Sequence, residues 1–387
     1  MRIITANWIY TPEGLFTQHV LEVQNEGAKV RIRKQRPEDR PDFYQGVLCP
    51  GFVNAHCHLE LSAFQGRIPP HTGMVSFIQS IIRERFQLSP TQHQEAIKAS
   101  MKAIWDTGTV AVGDICNTLD SLSAKREFPQ LYVHNFIELL GLRGEQSDEI
   151  VERGFKLAQA FDGLPHSLTP HAPYSVSPQL RDRIYALLTQ SQGLASIHLL
   201  ESPAERELFD HKRGPFLDFW ASIGLGEMQA PSQDAANYIL QGMPSQQKGM
   251  LVHLTQATQQ ELQTLAQQYP HLFFCLCPRS NEYIHNQYPD IQRFLPFADR
   301  ICLGTDSFAS NYSLDIFDDL KLLHKQYPNL PLHTLLKWAT TNGAQALQQS
   351  QNFGSFGTEG YCGINWIYLP NPQHKILSED TPLEKLY

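Results

Sequence analysis

Eight short apolar runs, each followed by a stretch of helical periodicity, recur along the chain from about residue 50 onward. They are GFVNAH (51–56), TVAVGDI (109–115), LYVHNFIEL (131–139), HSLTPH (166–171), LASIHLL (194–200), GMLVHLT (249–255), LFFCLCP (272–278) and ICLGTD (301–306). Runs this short and this apolar read as strands buried on both faces. Between them lie periodic segments such as MVSFIQSIIRERF, SPQLRDRIYALLTQ, SPAERELF, TQQELQTLAQQ and SLDIFDDLKLLHK. Several open with Ser or Thr where an N-cap belongs, and SPQL and SPAE add Pro at the first helical position. Eight strand–helix units predict an α/β fold, a (β/α)8 TIM barrel over residues 50–354. An open doubly wound sheet shares the alternation and stays the structural alternative. The first 49 residues alternate β-like runs with polar turns, and the Gly-rich FGSFGTEGYCGINWIYL is β-like again. Residues 1–49 and 355–387 are therefore expected to form one small composite β-domain beside the barrel.

Composition narrows the partners. With 42% hydrophobic and 18% charged residues, the 387-residue chain is too apolar for disorder and long enough for a large core. Its 31 Lys and Arg against 39 Asp and Glu leave a formal charge of −8, which offers nucleic acid or an anionic membrane no attraction. No stretch approaches the ~20 uninterrupted apolar residues of a membrane span. The start, MRIITANWIYTPEG, has one Arg and no apolar run with a cleavage site, and reads as a strand and a turn rather than a signal peptide. Seven cysteines scattered through apolar segments suit reduced thiols, so a cytoplasmic location is expected. Neither GxxxxGK[ST] nor GxGxxG occurs, which leaves no phosphate-cradling loop. The expected partner is a small molecule, with room for a homo-oligomer.

The chemistry is concentrated at the strand ends. In PGFVNAHCHLELS, His56 and His58 are two residues apart on a strand and project to the same face. A hydrogen-bonded pair of core histidines is the plain alternative for an isolated HxH. His58-Leu59-Glu60 also matches half of the HxE…PCxxC deaminase signature, but no PCxxC follows. The fifth run ends in His198 with Glu201 three residues on, the sixth in His253, and the eighth in Asp306. Parallel barrel strands bring their C-terminal ends to one face, so these residues can meet although far apart in the chain. Three imidazoles (His56, His58, His198) and the Asp306 carboxylate suit one divalent ion, zinc before iron, while Glu201 and His253 remain to handle protons. For Glu201 the plain alternative is charge stabilisation at a helix N-terminus.

Taken in order, PGFVNAHCHLELS, PHAPYSVS, HLLESPAE, CPRSN and LGTDS resemble the amidohydrolase superfamily, in its adenosine-deaminase-like and chlorohydrolase-like branch. Within it the chain is most similar to the aminodeoxyfutalosine deaminases of the futalosine route to menaquinone, and to adenosylhomocysteine and methylthioadenosine deaminases. The resemblance implies a metal-dependent hydrolase that removes the 6-amino group of an adenine nucleoside. It implies one metal held by His56, His58, His198 and Asp306, with Asp306, His253 and Glu201 catalytic. Binuclear members need a bridging carboxylated Lys, and LYVHNFIELL and HSLTPHAPY contain none. His171 in PHAPYSVS matches a substrate-contacting His, Glu84 lies near where a ribose-binding Glu is placed, and Arg143 loosely matches an Arg at the distal end of the substrate. A solvated helix face explains Glu84 equally well, and an exposed loop cation explains Arg143. Ser280 and Asn281 of CPRSN could shape the pocket floor. Guanine deamination and chlorotriazine hydrolysis are the alternatives within the superfamily. A catalytically inactive binding protein is the alternative outside enzymology.

Overall fold

The structure, a computed structural model, describes residues 1–24, 29–85, 87–357 and 361–387. All eight apolar runs are strands, within a few residues of their expected bounds. Five strands precede them: β1 (Arg2–Thr11), β2 (Gly14–Phe16), β3 (His19–Gln24), β4 (Lys29–Lys34) and β5 (Asp42–Cys49). The eight are β6 (Phe52–Cys57), β7 (Thr109–Cys116), β8 (Tyr132–Leu139), β9 (His166–Pro170), β10 (Ala195–Leu199), β11 (Gly249–His253), β12 (Leu272–Leu276) and β13 (Ile301–Leu303). β14 (Asn365–Tyr368) and β15 (Leu383–Lys385) follow.

β6 to β9 form one parallel ladder and β10 to β13 another, each in sequence order. Nearly every residue on these strands is buried, as strands covered on both faces require. Two seams close the ladders into a barrel. At the first, the His198 amide donates to the His171 carbonyl at 2.9 Å and the Thr169 hydroxyl to the Ser196 carbonyl at 2.8 Å. At the second, the His56 carbonyl accepts the amides of Thr305 and Asp306, both at 3.1 Å, and Cys57 bridges Asp306 in parallel register. Gly304 permits this approach, because a Cβ there would lie 2.7 Å from both the Cβ and the carbonyl oxygen of His56. The open-sheet alternative is thereby excluded.

Helices cover the outside, and several start at caps read from the sequence, although the helix Ile316–Gln326 is capped by Asp315 rather than by Ser313. Ser177 accepts the Leu180 amide, Ser202 the Glu205 amide, and Thr258 forms a capping box with Glu261. Both chain ends contribute to one seven-stranded mixed sheet, ordered β15-β14-β5-β1-β3-β4 with β2 on β1. β5 runs parallel to β1 and leads directly into β6, while β14 returns antiparallel to β5. Ile4, Ile9, Leu21, Leu48 and Ile364 fill one face of this sheet, and Tyr10, Val47 and Ile367 join the barrel's main core. Within FGSFGTEGYCGINWIYL only β14 is strand, and residues 358–360 lie outside the described residues. Among the described residues no helix is long and apolar enough to cross a membrane.

Candidate metal centre

The C-terminal ends of β6, β10, β11 and β13 carry His56, His58, His198, His253 and Asp306 to one buried cluster. Three of these ends turn through left-handed backbone: Leu200 has φ 51°, His253 72° and Asp306 59°. Such φ values in non-glycine residues cost about 1–3 kcal/mol each and concentrate at functional sites. The His58 Nε2 atom lies 3.1 Å from His56 Nε2, 3.3 Å from His198 Nε2 and 3.2 Å from Asp306 Oδ1. His56 Nε2 to Asp306 Oδ1 is 3.7 Å. A tetrahedral zinc with ligands at ~2.0–2.1 Å has ligand–ligand edges of roughly 3.3 Å, and these separations fit it.

The protonation states fit as well. Burial pushes the His58 imidazole down to about 4 and that of His198 well below its ordinary value, so both present lone pairs rather than charge. Burial alone would push the Asp306 carboxyl up, but the facing imidazoles of His56, His58 and His253 hold it well below the usual range. Its Oδ2 accepts the hydroxyls of Ser280 and Ser310, each at 2.6 Å, which turns Oδ1 toward the imidazoles. Together these donors could hold a divalent ion. His253 also falls within ligand range of His56 and His198.

Beside the cluster, His253 Nε2 is 3.3 Å from Glu201 Oε2, and the Tyr174 hydroxyl donates to Glu201 Oε1. Burial first, and the nearby Glu205 second, push Glu201 well above the carboxylate range. Burial lowers His253 to about 3. Glu205 accepts the amides of Leu200 and Glu201, both at 2.9 Å, and so fixes the backbone that presents Glu201. Asn281 reaches His253 Nδ1 at 3.3 Å.

Of the residues expected to touch substrate, His171 joins the cluster: its ring lies 4.8 Å from that of His198, and Ser175 holds its Nδ1 at 2.5 Å. Glu84 and Arg143 have other polar partners. Glu84 sits 3.7 Å from both Arg67 and Arg83, and the exposed Arg143 donates to the Gly224 carbonyl at 2.7 Å.

Two features were absent from the sequence reading. Glu138, at the end of β8, approaches His198 Nδ1 at 3.5 Å. A fully buried Lys125–Asp114 pair, 2.5 Å apart, stands behind the HxH segment, where Asp114 accepts the Leu59 amide at 2.7 Å. For Glu138 a usable signal existed, because it ends the third barrel strand as the other site residues end theirs.

Residues 47–361 match the model of the amidohydrolase family. The chain belongs to the amidohydrolase family. This amidohydrolase is 28% identical over 373 residues to the aminodeoxyfutalosine deaminase of Nitratiruptor sp., covering 93% of this chain and 88% of that protein. It is also 28% identical over 343 residues to the adenosine deaminase of Helicobacter pylori, covering 86% and 81%. The crystal structure of H. pylori aminofutalosine deaminase in complex with methylthio-coformycin superposes with a TM-score of 0.80 at 25% identity, covering 96% of this amidohydrolase and 93% of that chain.

Proposed function

We propose that this amidohydrolase removes the 6-amino group of an adenine nucleoside carrying a 5′ extension, using one divalent ion, zinc by preference, held by His56, His58, His198 and Asp306. The observation that carries the proposal is the union of that donor cluster with the Glu201–His253 pair in a single buried site. The likeness of almost the whole chain to two deaminases supports the reaction type.

Bound there, zinc supplies the Lewis acidity that makes water nucleophilic near neutral pH. The chain's own residues then divide the remaining work. Asp306, oriented by Ser280 and Ser310, and His253, neutral through burial, direct the attacking water and take its proton. Glu201, held protonated by burial and gripped by Tyr174, gives a proton to a ring nitrogen as the amine-bearing carbon is attacked. The carboxylate so formed then takes the proton of the new hydroxyl and passes it to departing ammonia. His171, in ring contact with His198, borders the substrate.

Likeness favours aminodeoxyfutalosine, and with it a step toward menaquinone. One observation favours a second reading, methylthioadenosine: the Arg143 guanidinium, expected to meet a carboxylated 5′ group, is instead held at the Gly224 carbonyl at 2.7 Å. Ammonia release should be measured with adenosine, methylthioadenosine, adenosylhomocysteine, aminodeoxyfutalosine and guanine. Turnover of an adenine nucleoside, abolished together with metal content in His56→Ala, is the expected result. Release from guanine alone, or from none of them in zinc-loaded protein, overturns the proposal.

A further inference from the structure

Glu138 is 5% exposed and sits among the cluster's outer neighbours, yet no catalytic step requires it. Its Oε2 accepts the Asn117 side-chain amide at 3.2 Å. Among the described residues its Oε1 makes no hydrogen bond, and it lies 3.5 Å from His198 Nδ1. A buried carboxyl oxygen without a donor is costly, and such an atom marks an interaction the rest of the site completes.

His198 faces two ways. Its Nε2 looks into the cluster toward His58, and its Nδ1 looks out toward the His171 carbonyl at 3.4 Å and toward Glu138. An imidazole that binds a metal through one nitrogen carries its proton on the other, and an acceptor placed there fixes both tautomer and ring orientation. Among the described residues the His56 Nδ1 atom, by contrast, is buried without a hydrogen-bond partner. The outward acceptors at His198 therefore do work that the site does not repeat at His56. Glu138, His171 and His198 also lie within ligand range of one another, but that arrangement would use Nδ1 of an imidazole whose Nε2 already faces the other donors.

We propose that Glu138 is a positioning residue that holds the proton of His198 on Nδ1, turns Nε2 into the cluster, and so sets how tightly the chain retains its divalent ion. This rests on reading the cluster as a single-ion centre. Asn117 completes the device by anchoring the far oxygen of Glu138 through its side chain and the Glu138 carbonyl through the same amide, both at 3.2 Å.

The test is zinc affinity, measured by competition with a chromogenic chelator on wild type, Glu138→Gln and Glu138→Ala. Outer partners of metal-bound histidines are typically worth 10–100-fold in metal affinity, and a loss of that size is expected in both variants at unchanged stoichiometry. Cobalt(II) loaded into Glu138→Gln should also show visible absorption bands shifted from wild type, a change that loss of fold stability alone does not produce. If Glu138→Ala fails to fold, the near-isosteric Gln variant carries the test. Zinc held as tightly by Glu138→Gln as by wild type, with unchanged cobalt bands, overturns the proposal, and an accompanying rise in KM would assign Glu138 to substrate instead. Wild type that takes up no zinc defeats the single-ion reading itself, a result distinct from either.

Discussion

Glu201 meets three neighbours that set its role: Tyr174 on one oxygen, His253 on the other, and Glu205 beneath its backbone. None of the three makes it a metal ligand. Glu201→Gln is therefore expected to keep its ion and to lower kcat by ~10²–10⁴, the usual worth of a general acid. Metal analysis and steady-state rates on the same preparation check this, and near-normal turnover would remove Glu201 from the chemistry. At this scale the sequence was legible where chemistry and topology coincide. His56, His58, His198, His253 and Asp306 all follow short apolar runs, and parallel strands leave them one common place to meet. Glu138 escaped because a lone carboxyl inside LYVHNFIEL has no local partner, and its meaning depends on an imidazole on another strand. Glu84 is read from its distance along the chain from His58, and Arg143 from its place after the third strand; in the structure Glu84 lies beside Arg67 and Arg83, and Arg143 at the Gly224 carbonyl.

Among the elements, the short helix Leu122–Glu127 sends Lys125 inward to Asp114 on β7, and Asp114 in turn holds the Leu59 amide just past the HxH pair. Removing one member of a buried ion pair strands the other charge. Lys125→Met should therefore destabilise the protein by about 3–5 kcal/mol, and adding Asp114→Asn should recover part of that loss. Urea denaturation of the single and double variants measures the coupling, and a neutral Lys125→Met would show that the pair carries none. The strands themselves were visible as apolar runs, but β2 and β15 were not. Unlike the equally short β13, which shows as an apolar run, β2 and β15 owe their conformation to the neighbours they pair with, β1 and β14. Nor could alternation distinguish a closed barrel from an open sheet. That choice rests on a few contacts, such as the missing Cβ of Gly304 against His56.

Over the whole molecule, several buried carboxyls keep protons that a free chain would release. Burial pushes Glu60 and Asp315 up to about 6, and Glu205 and Asp319 up to about 7, from ordinary values of 4.5 for Glu and 3.8 for Asp. A group whose folded pKa is raised stabilises fully below its unfolded pKa and loses that contribution as pH rises through the folded value. Stability should accordingly fall between about pH 4 and about pH 7 on account of these groups. Asp319→Asn, at a side chain with one unpartnered oxygen, should flatten the decline in denaturation profiles. A profile of that variant identical to wild type would show that Asp319 titrates alike in both states.

The two half-barrels have a further consequence for how the molecule comes apart. Inside each ladder the strands are sewn along their length, but the seams between ladders hang on a few amides, among them those of His58, Ser196, His198, Thr305 and Asp306. His56 and His58 stand on one half, and His198, His253 and Asp306 on the other. An ion held by His56 and His58 from one half and by His198 and Asp306 from the other would be a clasp across the joint as well as a reagent. Stripping it with a chelator should speed hydrogen–deuterium exchange first at the amides of His198, Thr305 and Asp306, while amides inside a ladder, such as those pairing Val112 with Val133, stay protected. Equal rates at the joint with and without zinc would mean the halves hold each other unaided. The expected order, joint before ladder, would make the lifetime of the closed barrel a property of its cargo.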